Sequence, residues 1–156
     1  MSIDAISVEE LRDLYRELIL DHARSPRHFG KLEGMTHSAE GVNPLCGDKL
    51  KLYLAVDGDQ IKDARFEGSG CAISVASASL LTDTVIGLPV SRAHDYFGAV
   101  TAALSGKPTA STTVDLGKLR ALEGVRDFPS RVKCATLAWH AMNSALSNDN
   151  QPATTE

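Results

Sequence analysis

The sequence predicts a mixed fold in which helices pack around a small antiparallel sheet. Two observations predict it. Leu50, Leu52, Leu54 and Val56 alternate with Lys49, Lys51, Tyr53 and Ala55, the period of a strand with one buried and one wet face. Asp57-Gly58-Asp59 follows as a hairpin turn signal, so residues 61–67 return antiparallel, because parallel strands need a long crossover. Residues 36–42 supply a third strand.

Helical spacing governs most of the rest. Val8, Leu11, Leu14, Tyr15, Leu18 and Ile19 line one face of a helix over 8–24, with Ser7 as cap and Glu10 at the capping-box position. That helix stops before Ser25-Pro26, since proline disfavours helical geometry in the residue before it. Residues 28–37 form a loop broken by Gly30 and Gly34. A helix of small residues spans 72–86 and ends at Gly87, with Pro89 beyond. Ser91 caps a helix to about residue 104, residues 107–115 are polar loop, and residues 116–124 form a short helix. Ser130 caps the last helix, whose Val132, Leu137, Ala138, Ala141, Met142 and Ala145 make its buried stripe. Five helices thus accompany three strands in one domain over residues 1–147, and the polar residues 148–156 form a disordered tail.

Composition limits the function. The chain has 156 residues, 43% of them hydrophobic but only 5% aromatic, so its core is built from Ala, Val, Leu and Ile. Sixteen Lys and Arg against twenty Asp and Glu leave a net charge of −4, which offers no footprint for nucleic acid or an anionic membrane. No apolar run approaches the ~20 residues of a membrane span, and the acidic N-terminus lacks the apolar region of a secretory signal. A cytoplasmic location is expected.

Three cysteines, Cys46, Cys71 and Cys134, then carry the chemistry. An odd number in a reducing compartment points to thiols, metal ligands or a nucleophile rather than disulfides. Cys46 lies in the turn-rich stretch Asn43-Pro44-Leu45-Cys46-Gly47-Asp48 before a strand. Cys71 sits between a glycine-rich loop and a helix start, and Cys134 four residues past the Ser130 cap. Helix N-termini favour thiolate, the form that attacks and binds metal. Asp48 follows Cys46 by two and shares its side if it opens the strand, and Gly47 between them has no side chain to obstruct a close approach. Cys46, Asp48, Cys71 and Cys134 therefore make a four-ligand set of a kind that suits zinc. Asp48, the harder ligand, is the weaker tie. Arg131 and Lys133 offset the excess negative charge of such a site.

Blander readings stand beside these. A cysteine on an Ala-rich helical face often fills the core, an aspartate often simply opens a strand, and Arg131 and Lys133 are also what an ordinary solvated helix start carries. His22 and His140 read as packing or surface groups, and His28, His37 and His94 lack ligand spacing. Gly68-Ser69-Gly70 after a strand hints at a phosphate cradle, but a dinucleotide motif needs a third glycine and a parallel sheet.

Four segments in order carry a family resemblance: Leu14-Tyr15-Arg16-Glu17-Leu18-Ile19-Leu20-Asp21-His22, Asn43-Pro44-Leu45-Cys46-Gly47-Asp48, Phe66-Glu67-Gly68-Ser69-Gly70-Cys71-Ala72-Ile73-Ser74 and Arg131-Val132-Lys133-Cys134-Ala135-Thr136-Leu137-Ala138-Trp139. Across residues 8–147 the chain resembles the SufU branch of the IscU/NifU N-terminal family. The resemblance implies a compact α+β fold, a three-stranded antiparallel sheet packed by helices with the cysteines gathered at one end, and a role in iron–sulfur cluster assembly. IscU-type scaffolds carry a histidine immediately before the third cysteine. Lys133 holds that position here, and an additional stretch, about 88–118, separates the second and third cysteines as in SufU proteins. These features imply a zinc-dependent sulfurtransferase in which a SufS-type cysteine desulfurase delivers persulfide sulfur to Cys46, and a downstream iron–sulfur scaffold receives it. Arg131 and Lys133 are then candidates for partner contact. The alternatives are a scaffold holding a [2Fe–2S] cluster or iron on the same four residues, and a non-catalytic domain with structural zinc.

Overall fold

A computed structural model describes residues 8–105, 114–147 and 153–154. Helix α1, Val8–Arg24, leads into a three-stranded antiparallel meander of β1, His37–Asn43, β2, Asp48–Asp57, and β3, Gln60–Ser69. Helices α2, Ala72–Val85, and α3, Val90–Ser105, follow, then a 3-10 helix, Gly117–Val125, and α4, Pro129–Leu146. The fold is the expected α+β arrangement, with five helical segments among the described residues on a small antiparallel sheet.

Alternation decides which sheet face is covered. Leu50, Leu52 and Leu54 of β2 and Ile61, Ala64 and Phe66 of β3 are buried in one cluster with Leu80, Leu81 and Val85 of α2 and Leu137, Trp139 and Met142 of α4. Helix α4 packs closely on β1 because Gly41 leaves room: a Cβ there would stand 3.1 Å from Leu137 Cδ1. Helix α2 is buried on nearly every side, and its polar residues are small and paired. Ser74 Oγ donates to the Cys134 carbonyl at 3.3 Å, Ser77 Oγ to the Ala135 carbonyl at 2.5 Å, and Trp139 Nε1 to Ser77 Oγ at 3.1 Å. These bonds tie α2 to the segment of α4 that holds Cys134, and they remove the cost of burying hydroxyls.

Several expectations are corrected. Ser130 is not the cap of α4: Phe128 takes that place and Pro129 opens the helix, where its missing N–H leaves nothing unsatisfied. Helix α3 starts at Val90, so Ser91 lies inside its first turn. Leu14 is 56% exposed, and among the described side chains of α1 Ile19 and His22 are the buried ones. The tail is not wholly outside the fold: Ala153–Thr154, β4, pairs parallel with β1, Gly41 opposite Ala153 and Val42 opposite Thr154, which extends the meander to the order β3-β2-β1-β4. Ser7, most of the polar loop 107–115 and the remaining tail residues lie outside the described residues.

Candidate metal centre

The end of the sheet where β1 turns into β2 gathers the chemistry. Asn43 and Asp48 are directly opposed Cα partners in the ladder, and residues 44–47 form the hairpin loop between them. Within it the Cys46 N–H donates to the Asn43 carbonyl at 3.2 Å, and Gly47 adopts a φ of 72°. Nothing lies within 4 Å of a Cβ placed on Gly47. Glycine is required there by the left-handed turn, not by a close approach as the sequence suggested. The same turn, rather than strand alternation, carries Cys46 back over Asp48.

Cys46, Asp48 and Cys134 each offer a ligand atom within 4.8 Å of the other two. Asp48 is 2% exposed and Cys134 0%, whereas Cys46 is half-buried on its loop. Cys71 is the N-cap residue of α2. Its thiol stands outside the tight trio, donates to Ser74 Oγ at 3.7 Å, and interacts with both Cys134 and Arg131. The structure therefore brings all four residues to one end of the molecule and draws three of them into a single cluster.

The polar groups around Asp48 explain its state. Burial by itself raises its pKa, but the Cys71 backbone N–H, the Ser74 hydroxyl, the Cys134 thiol and the Asn43 amide together outweigh that and hold it below the usual carboxylate value of 3.8. The Cys71 N–H reaches Oδ1 at 2.8 Å and Asn43 Nδ2 reaches Oδ2 at 3.3 Å. Gly70 permits the first of these: a Cβ on it would sit 2.6 Å from Asp48 Oδ1. Cys134 goes the other way. Burial pushes its thiol well above the ordinary cysteine range, and hydrogen bonds to Asp48, Cys46 and Cys71 add to the effect. The helix start expected to favour thiolate is outweighed there, because Cys134 lies in the second turn of a helix that begins at Pro129 and is sealed from water. A divalent cation inverts that preference, since a coordinating thiol is deprotonated outright.

The donor set fits such a cation. Two sulfurs and a carboxylate oxygen in one cluster, with a further thiol beside it, match the N/S/O preferences of zinc. No ion pair engages the buried Asp48 carboxylate among the described residues, although a buried charge is costly unless paired. The Arg131 guanidinium lies beside Cys71 and Cys134, and interaction first with Cys71 and then with Cys134 raises its pKa. Lys133 is half-buried, and among the described residues no hydrogen bond or ion pair joins its side chain to the cluster. Three contributors were missed in the sequence: Asn43, Ser74 and Gly70. Only the pairing of Asn43 with Asp48 across a short hairpin was a signal for any of them. The histidines behave as expected of packing groups: His22 Nδ1 meets Ser79 Oγ at 2.7 Å, and His140 stacks edge-on with Phe97.

Comparison with known proteins gives the family. The NifU-like N terminal domain profile matches residues 14–135. The zinc-dependent sulfurtransferase SufU of Bacillus subtilis is 40% identical over 139 residues, covering 89% of this chain and 93% of its own. The iron-sulfur cluster assembly scaffold protein IscU of Thermotoga maritima is 40% identical over 142 residues, covering 89% and 96%. Among solved structures, an iron-sulfur cluster assembly scaffold protein of the SUF system from Fervidobacterium islandicum AW-1 superposes with a TM-score of 0.76 at 34% identity, covering 83% of this chain and 94% of that one. The chain belongs to the family of NifU-like N-terminal domains, the family of iron–sulfur cluster assembly proteins that includes these relatives.

Proposed function

We propose that this protein is a zinc-dependent sulfur acceptor in iron–sulfur cluster assembly, working in the cytoplasm with a SufS-type cysteine desulfurase and passing sulfur to a downstream iron–sulfur scaffold. Zinc is held by Cys46, Asp48, Cys71 and Cys134, and the working unit is the domain of residues 1–147 with the strand Ala153–Thr154 added to its sheet edge. One observation carries the reading: Cys46 rides on a hairpin loop and is partly exposed, while Asp48 and Cys134 are buried and Cys71, also partly exposed, is fixed as the N-cap of α2 with its N–H on Asp48. A bound metal keeps the sulfurs as thiolates and contributes folding free energy on the order of 10 kcal/mol. When the partner supplies a substitute ligand, Cys46 is the residue free to leave.

The transfer itself is thiol–disulfide exchange. The Cys46 thiolate attacks the outer sulfur of the partner's persulfide, a new S–S bond forms at Cys46, and the partner's cysteine departs as thiolate, so no external oxidant is needed. Leu45 is 68% exposed beside Cys46, and exposed Phe128 and Arg131 stand at the start of α4. With Lys133 they form the rim a desulfurase would contact. The second reading, a [2Fe–2S] scaffold on the same ligands, is favoured by the names of several relatives, which are called assembly scaffolds. Lys133 in place of a histidine weighs against it. A visible spectrum separates the two, since zinc is colourless and a cluster absorbs.

Desulfurase turnover measured with and without the chain, with persulfide mapped by mass spectrometry, tests the function. Stimulated turnover and persulfide on Cys46 are expected, and turnover indifferent to the chain with no persulfide on Cys46 would refute the sulfur-acceptor role. Gly70→Ala should weaken zinc binding, because the added Cβ displaces the Asp48 carboxylate from the Cys71 N–H. A fall of about 10–100-fold, the usual effect of disturbing a ligand's supporting shell, is expected in competition with a chromophoric chelator.

A further inference from the structure

We propose that Asn43 is a positioning residue that aims the ligands of the metal centre, an inference resting on the zinc reading above. Asn43 is fully buried at the end of β1 and, among the described residues outside the trio itself, is the one bonded to every member of the tight donor trio. Its side-chain Nδ2 donates to Asp48 Oδ2 at 3.3 Å and to Cys134 Sγ at 3.6 Å. Its carbonyl accepts the Cys46 N–H at 3.2 Å. The amide has one productive orientation, because turning Oδ1 toward a carboxylate and a sulfur would set acceptor against acceptor.

That orientation leaves Asn43 Oδ1 buried with no hydrogen-bond partner. Buried polar atoms are almost always satisfied, so a residue present only to fill space or complete a network would not be expected to leave one orphaned. The donor end is what the site uses. An N–H shared between a sulfur and a carboxylate oxygen fixes their directions before the metal arrives. The ladder supplies the rigidity: Asn43 and Asp48 are locked opposite each other, and Cys134 is set by the packing of α4 against β1.

Asn43→Leu keeps similar bulk while removing both the donor and the orphaned acceptor. Zinc affinity is to be measured by chelator competition on the full chain, together with the cobalt(II) absorption spectrum. The expected result is zinc binding weaker by about 10–100-fold, shifted cobalt bands, and a metal-free melting temperature equal to or above that of the wild type. Asn43→Ala provides a second donor-free variant. Zinc affinity within threefold of wild type with an unchanged cobalt spectrum would overturn the proposal, as would failure of both variants to fold, which would make Asn43 structural. If the wild-type chain takes up no zinc, the proposed function falls and this inference with it. Wild-type uptake with undiminished variant affinity overturns this inference alone.

Discussion

Cys46→Ala is expected to reduce persulfide formation on this protein to background when a SufS-type desulfurase and cysteine are present. Cys134 cannot substitute, because it is sealed within the core, where a partner's persulfide sulfur has no access to it. Cys71 is partly exposed, so it is the residue to exclude. Its position as N-cap of α2, with its N–H committed to Asp48, gives it little freedom to reach a partner. Persulfide mapping of Cys46→Ala beside Cys71→Ala checks the assignment. Sulfur still accepted by Cys46→Ala, at the same rate and now on Cys71, would remove Cys46 from its role.

Asp48→Ala is expected to cost the protein most of its metal. The substitution deletes a ligand oxygen, strips the Cys71 N–H and the Asn43 amide of their acceptor, and leaves a void beside buried Cys134. Zinc affinity should fall by more than the ~10–100-fold usual for a supporting residue. Because metal binding is folding free energy, the melting temperature measured in zinc should fall toward the metal-free value. The pH dependence has a defined sign. The Asp48 pKa in the folded chain is lowered from its ordinary value of 3.8, so its stabilisation is present at neutral pH and is lost as pH falls below 3.8 toward the depressed value. Asp48→Ala should lack that part of the acid transition.

The residues show why some of this was legible and some was not. The meander could be read because a two-residue period and an Asp-Gly turn are local signals, and the clustering of Cys46, Asp48 and Cys134 could be anticipated because an odd number of cysteines without a disulfide pattern points to a shared site. What escaped was set by contacts distant in sequence. Ser130 has the chemistry of a cap, yet Pro129 opens α4 because it has no N–H to satisfy. Gly70 and Ser74 act on Asp48 only once β2 and the start of α2 are brought together. Cys134 was expected to be thiolate-prone from its place near a helix start, but burial, which is a property of the whole fold, overrides that. The short strand Ala153–Thr154 rests on an edge of β1 that no local pattern announces.

Zinc K-edge X-ray absorption on the zinc-loaded chain tests the arrangement most directly. A first shell of three sulfurs at about 2.3 Å and one lighter atom at about 2.0–2.2 Å is predicted, with one sulfur lost in Cys46→Ala. A shell with fewer than two sulfurs, or one whose sulfur count is untouched by Cys46→Ala, would contradict it.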